Sequence, residues 1–267
     1  MALIAALLSC ARPHRETRLV HGPPAPFLSV RTARFVLIAS AYADLEARRL
    51  VARGGKDDTA LVALGLCSDE DCARKAMGPA AAPFDAELGP FLASGWERDA
   101  ARARTAIDAS AELLSEAEDV IAPKLGGQLG LSWPDENVPI VVTAAPGARQ
   151  GEEALDAAAL DVSGPCFEGA AIVECAFHRA IEGAKTRSAL LAAVDELRPD
   201  LTHDVVLFAA GDAVRQLTAA YDPARHFPNA RAGHPEVFAW LAREWPKRVR
   251  DEVGARAFGL RMAREAK

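Results

Sequence analysis

The sequence has no internal repeat and no Ser/Gly-rich or strongly charged stretch that would divide it. Beyond its first ten residues no segment approaches the roughly 20 apolar residues of a membrane-spanning helix. Without a divider, 267 residues that are 50% hydrophobic and 25% charged read as one compact domain with a substantial core. Excess basic charge is missing too. A formal net charge of -6 and an isoelectric point near 5.6 remove any general electrostatic drive toward nucleic-acid backbones or anionic lipid surfaces. The most basic stretch, Lys247, Arg248, Arg250, Arg256, Arg261 and Arg264, is interleaved with Asp251, Glu252 and Glu265 at helical spacing and reads as a solvated helix face. There is no Gly-x-Ser-x-Gly elbow around Ser40 or Ser163 and no Gly-rich phosphate loop, so serine hydrolases and nucleotide enzymes lack their motifs here.

What is present starts with an apolar run, Ala2 to Leu8, followed by Ser9 and Cys10. Leu7-Leu8-Ser9-Cys10 resembles a bacterial lipobox, in which a small residue precedes the cysteine that becomes lipidated. No Lys or Arg precedes the run, and a short core element that mimics a signal fits the same residues. On the first reading, residues 1–10 are a lipoprotein-type signal and residues 11–30, with Pro13, Pro23, Pro24 and Pro26, are an extended tether. Residues 31–267 are then the folded domain, exported to the cell envelope or periplasm and touching a membrane only through a lipid at Cys10.

Setting Cys10 aside leaves two local pairs, Cys67 with Cys72 and Cys166 with Cys175, an even number that suits an oxidising compartment. Cys67 and Cys72 fit either a small disulfide loop or half of a zinc site, but no second Cys or His pair follows at finger spacing. Cys166 and Cys175 fit a disulfide, or Cys175 is simply buried in a helix.

Phe35-Val-Leu-Ile38 and Val138 to Ala144 read as short buried strands. Helical periodicity covers Ala41 to Arg53, Asp85 to Ser94, and Arg98 to Leu125, the last with Ile107, Ala111, Leu114 and Ile121 in one apolar stripe. Gly78 to Pro83 reads as a loop, and residues 146–165 as loop with at most short elements. Further helices are expected over Phe167 to Ala184, Thr186 to Leu197, Thr202 to Ala220, and from Pro235 onward, where Phe238, Trp240, Leu241 and Trp245 read as core. A few strands and helices followed by consecutive helices predict an α+β, mostly helical fold with a small β-sheet.

Glu174, His178 and Glu182 recur every four residues, which places them along one side of a helix. Such a stripe also occurs on solvated faces, but imidazole and carboxylate groups so spaced can share one divalent ion. His226 and His234, in a loop, read as solvated or helix-capping.

Glu174-Cys-Ala-Phe-His178-Arg-Ala-Ile-Glu182, then Thr202-His-Asp-Val-Val-Leu-Phe-Ala-Ala-Gly-Asp212-Ala-Val-Arg215 and Tyr221-Asp-Pro223, resemble the motif series of a family of secreted bacterial zincin-like, gluzincin-type metallopeptidases. That family carries a His-Glu-x-x-His helix, and Leu129-Gly-Leu-Ser-Trp133-Pro134 matches its approach to the site, so the resemblance spans residues 120 to 225. It implies a zincin-like domain with His178, Glu182 and Asp212 as metal ligands, zinc being the ion, and His203 near the site. It also implies that Arg179 stands where the family has its proton-accepting glutamate. Arginine keeps its charge at neutral pH. The expectation is therefore a degenerate peptidase that binds a peptide or partner protein. An active metallohydrolase using another base, with Glu174 or His203 as candidates, is the alternative, and a structural envelope lipoprotein the second alternative. A harder ion in place of zinc, or Arg179 paired with Glu182 or Asp212 and no metal, remain open variants.

Overall fold

The computed structural model describes residues 25–54, 59–133, 135–144, 159–161, 169–217, 222, 233–250 and 253–266. The fold is α+β and mostly helical, with one mixed sheet ordered β1-β2-β3-β4. Strand β1 (Phe27–Arg31) pairs antiparallel with β2 (Phe35–Ser40), with Phe27 opposite Ser40 and Arg31 opposite Val36. Strand β3 (Val138–Thr143) runs parallel to β2, and β4 (Ala159–Asp161) runs parallel to β3. Their apolar runs explain their places: Phe35, Leu37, Ile140, Val141 and Val142 are all buried, as expected where helices cover a parallel sheet.

Between β2 and β3 lie α1 (Ala41–Ala52), α2 (Thr59–Gly65), α3 (Glu70–Met77), a 3-10 turn at Gly78–Ala80, α4 (Ala81–Phe91), a π turn at Leu92–Trp96, and the long α5 (Glu97–Leu129). Ser40 caps α1, its hydroxyl accepting the Ala43 N–H at 3.1 Å. The apolar stripe of α5, including Ile107, Leu114, Ile121 and Leu125, is buried against the sheet and the later helices. Glu118 on that helix accepts bonds from the Thr32 hydroxyl and, at 3.2 Å, from the Arg34 N–H, which ties the β1–β2 turn to α5. α5 ends at Gly130, whose φ of 58° suits glycine. A Cβ there would also lie 2.9 Å from Ala255 Cβ.

After β4 come α6 (Gly169–Gly183), α7 (Ala189–Leu197), α8 (Thr202–Leu217), α9 (Pro235–Arg250) and α10 (Ala255–Glu265). α10 packs closely on α7, because Gly259 lets the backbone of Leu190 approach: a Cβ at 259 would meet its carbonyl oxygen at 2.5 Å. Trp240, Leu241 and Trp245 are core, and Phe238 packs beside them, as expected. Among the described residues no helix is long and apolar enough to cross a membrane.

Several expectations need correction. The segment up to residue 30 was expected to be tether, yet Phe27–Val30 belongs to an edge strand, and Trp96 Nε1 donates to the Ala25 carbonyl at 3.1 Å. Pairing with β2 decides the matter, since β1 has little apolar pattern of its own. Gly78 to Pro83 is helical, with Pro83 in the first turn of α4, where its missing N–H leaves no bond unmade. The helix expected from Asp85 starts earlier and continues through the π turn into α5. Strand β4, three residues long, is the kind of short element that the stretch 146–165 allowed. Cys67 and Cys72 are disulfide-bonded, their Cα atoms 5.4 Å apart, so they do not form half of a zinc site. Cys175 is buried, while Cys10 and Cys166 lie outside the described residues, as do Tyr221, Pro223 and His226.

Candidate metal centre and cleft

Helix α6 is oriented by its apolar face. Phe177 packs edge-on against Phe35 of β2 at 5.4 Å and against Trp133 at 6.2 Å, with Ala176, Ala180 and Ile181 also buried. Once that face is fixed, the four-residue stripe runs from core to surface. Glu174 is 0% exposed, His178 2%, and the Glu182 side chain 27%. Glu174 is thus enclosed and does not line the cleft, whereas His178 and Glu182 do.

The third member arrives from the start of α8. A 3-10 turn at Pro199–Leu201 leads into that helix, and Thr202 anchors it by donating to Asp195 at 3.3 Å. His203 then faces α6, its ring perpendicular to that of His178 with centroids 5.0 Å apart. Its Nδ1 lies 3.2 Å from Glu182 Oε1, and Lys185 Nζ is 3.7 Å from the other oxygen. One donor atom each from His178, Glu182 and His203 lies within 4.8 Å of the others.

These neighbours set the charge on Glu182. The hydrogen bond to His203 is the main force holding its carboxyl below the ordinary range, with further help from positive charge at His178, His203 and Lys185; partial burial pushes the other way. Such compensation is needed at a helix C-terminus, where the backbone dipole disfavours a carboxylate.

The cluster sits in an open cleft of about 650 Å³ whose walls include Glu136, Val138, Arg179 and Lys185. Two imidazoles and one carboxylate form a His₂Glu donor set that suits zinc, and the same set with open positions also suits ferrous iron. Two donors on one tetrahedral zinc are roughly 3.4 Å apart. The donors lie within 4.8 Å of one another, and Glu182 and His203, both partly exposed, have room to adjust. The residues present therefore fit a divalent metal.

The structure brings together His178, Glu182 and His203, not the trio with Asp212 that the resemblance implied. Asp212 lies nine residues beyond His203 on the same helix, about 13 Å along its axis. Its carboxylate instead accepts from Arg215 at 2.6 Å and Gln216 at 2.7 Å. Arg179 pairs with neither Glu182 nor Asp212; it lines the cleft wall. His234 is tied to Asp204 at 2.7 Å, a link between α8 and the start of α9. Lys185 and Glu136 were missed by sequence reasoning; Lys185, three residues past Glu182, was within reach of helical spacing. No family model, curated protein or solved structure matches the chain.

Proposed function

We propose that this is an exported, peptidase-like protein whose cleft binds a peptide or partner-protein segment without hydrolysing it, with a divalent metal, zinc by preference, held by His178, Glu182 and His203. The observation that carries this reading is the convergence of those three groups in an open cleft with Arg179 on its wall. A bound metal would supply a Lewis-acidic centre that polarises a carbonyl or carboxylate of the ligand. His178, packed into the core by its helix, would fix the site, while Glu182 and His203 adjust to it. Arg179 cannot take a proton from water at neutral pH, and the missing general base lowers hydrolysis by about 100-fold to 10,000-fold. Its charge suits an anionic group on the ligand instead. The Cys67–Cys72 disulfide supports an oxidising compartment and hence export.

The alternative, an active metallohydrolase, needs a carboxylate base other than Glu182 in the cleft; Asp195 there is engaged by Thr202, and Glu136 at the wall favours this reading. The same experiment addresses both. Purified full-length protein is analysed for metal by elemental mass spectrometry beside a His178→Ala control and is then incubated with mixed peptides. Near-stoichiometric zinc that falls about 100-fold or more in affinity in the variant, without peptide turnover, supports the binding reading. Zinc-dependent turnover replaces it with the hydrolase. Failure to bind zinc even in excess rejects the metal centre altogether.

A further inference from the structure

The last two turns of α5, the C-terminal part of α9 and the start of α10 line a second, open cavity of about 520 Å³. Gln216 reaches its rim thirteen residues beyond His203, roughly 20 Å along α8, so this cavity is separate from the cleft. We propose that it binds a small organic anion, a carboxylate or phosphate group carried on a partly apolar body.

Arg248 carries the argument. It is 6% exposed and lines the cavity. Its hydrogen bond to the protein runs from Nη2 to the Gly127 carbonyl at a long 3.4 Å, and its Nε is enclosed without a partner. The guanidinium lies 5.7 Å above the Phe258 ring, and among the described residues no carboxylate forms a salt bridge with it. Burial pushes its pKa down, and no acid among the described residues offsets that push. An uncompensated buried charge is expensive, and buried arginines ordinarily have acidic partners. Here the residue instead lines a cavity.

The surroundings favour an anion independently. Among the described residues no acidic side chain lines the cavity, while Lys124, one turn before Gln128 on α5, lies at its wall. The N-terminus of α10 opens there through Val253, Gly254 and Ala255. Gly254 is the capping residue and has no side chain to accept the first-turn N–H groups, which leaves those donors and the positive end of the helix dipole for a ligand. Asp212, near the rim, is balanced by Arg215. The volume exceeds that of a bare ion, and Pro123, Val253 and Ala255 supply apolar wall, hence the partly apolar body.

The test is calorimetric titration of the full-length protein with inorganic phosphate, acetate and hexanoate, each against sodium chloride of equal ionic strength. Saturable binding of phosphate or of hexanoate is expected, and whichever binds identifies the head group. Arg248→Met should weaken it by about tenfold or more. Exposed Lys124→Ala, with little effect on folding, should weaken it by a smaller factor. His178→Ala should leave it unchanged, which separates this site from the metal centre. Arg248→Met should melt at or above the wild-type temperature in anion-free buffer, because it removes a lone buried charge. No saturable binding by the wild-type chain, or equal binding by Arg248→Met, overturns the proposal and leaves Arg248 as a tie to the end of α5.

Discussion

Near one end of α8 a carboxylate has gathered its counter-charges, and toward the other a guanidinium has none among the described residues. Glu182 is held ionised by His203 and Lys185 in a cleft whose donor set suits a cation. Arg248 is enclosed beside a cavity that no acid among the described residues lines. A third buried cluster shows what full internal pairing looks like: Arg48 bridges Asp44, at 3.3 Å, and Asp99, both of them enclosed. The difference teaches where external partners belong. A charge network closed within the protein serves the fold, and one left open at a cavity is available to a ligand.

The largest expected effect sharpens that contrast directly. Arg48→Met leaves buried Asp44 without its cation and Asp99 with exposed Arg98 alone, and should cost about 3–5 kcal/mol of stability, whereas Arg248→Met should be neutral or stabilising. Denaturant unfolding of both variants checks the pair of signs. Two losses of equal size would show that Arg248 is as well compensated as Arg48.

A second test uses pH. Burial raises the Asp44 pKa from 3.8 to about 6, against the opposing pull of Arg48 and the N–H of Ala144, which donates to it at 2.8 Å. A raised carboxyl binds its proton more tightly in the folded state than in the unfolded one. Stability should therefore fall as pH rises from about 4 to about 6, by roughly 3 kcal/mol at about 1.4 kcal/mol per unit, and level off above. Glu182, lowered by His203, acts oppositely and in another window: its contribution is complete above about 4.5 and is lost at more acid pH. Unfolding midpoints between pH 4 and 7 should lose this slope in Asp44→Asn; a slope that persists would place its origin elsewhere.

Helices α5 to α9 and the two longer strands were readable because their apolar residues recur at the period of the element that buries them, as with Ile107, Leu114 and Ile121. Strand β1 was not, because Phe27–Arg31 follows a Pro-rich lead and owes its place to hydrogen bonds with β2. At three residues, β4 is too short for any period. At the site, His178 and Glu182 followed from helical spacing, but which residue would meet them depended on how α8 docks on α6. The Arg248 cavity was hidden for a similar reason. Lys247 and Arg243 are exposed and paired with Glu244, and nothing in a basic stretch marks the residue that turns inward between two other helices.

The smallest expected effect addresses the ligand set. If the cleft is built by His178, Glu182 and His203, then Asp212→Asn, about 13 Å from His203 along α8, should change zinc affinity by no more than about twofold, the ordinary limit for distant, independent positions. The same substitution weakens the acceptor that orients Gln216 at the rim of the second cavity, so any change should appear in anion binding. Competition titration with a zinc chelator and calorimetry with phosphate or hexanoate on one preparation measure both. A tenfold or greater loss of zinc affinity would mean that α8 shifts along α6 when metal binds, bringing Asp212 to the centre in place of His203. The contrast between the two sites would then be one between two states of the helix pair.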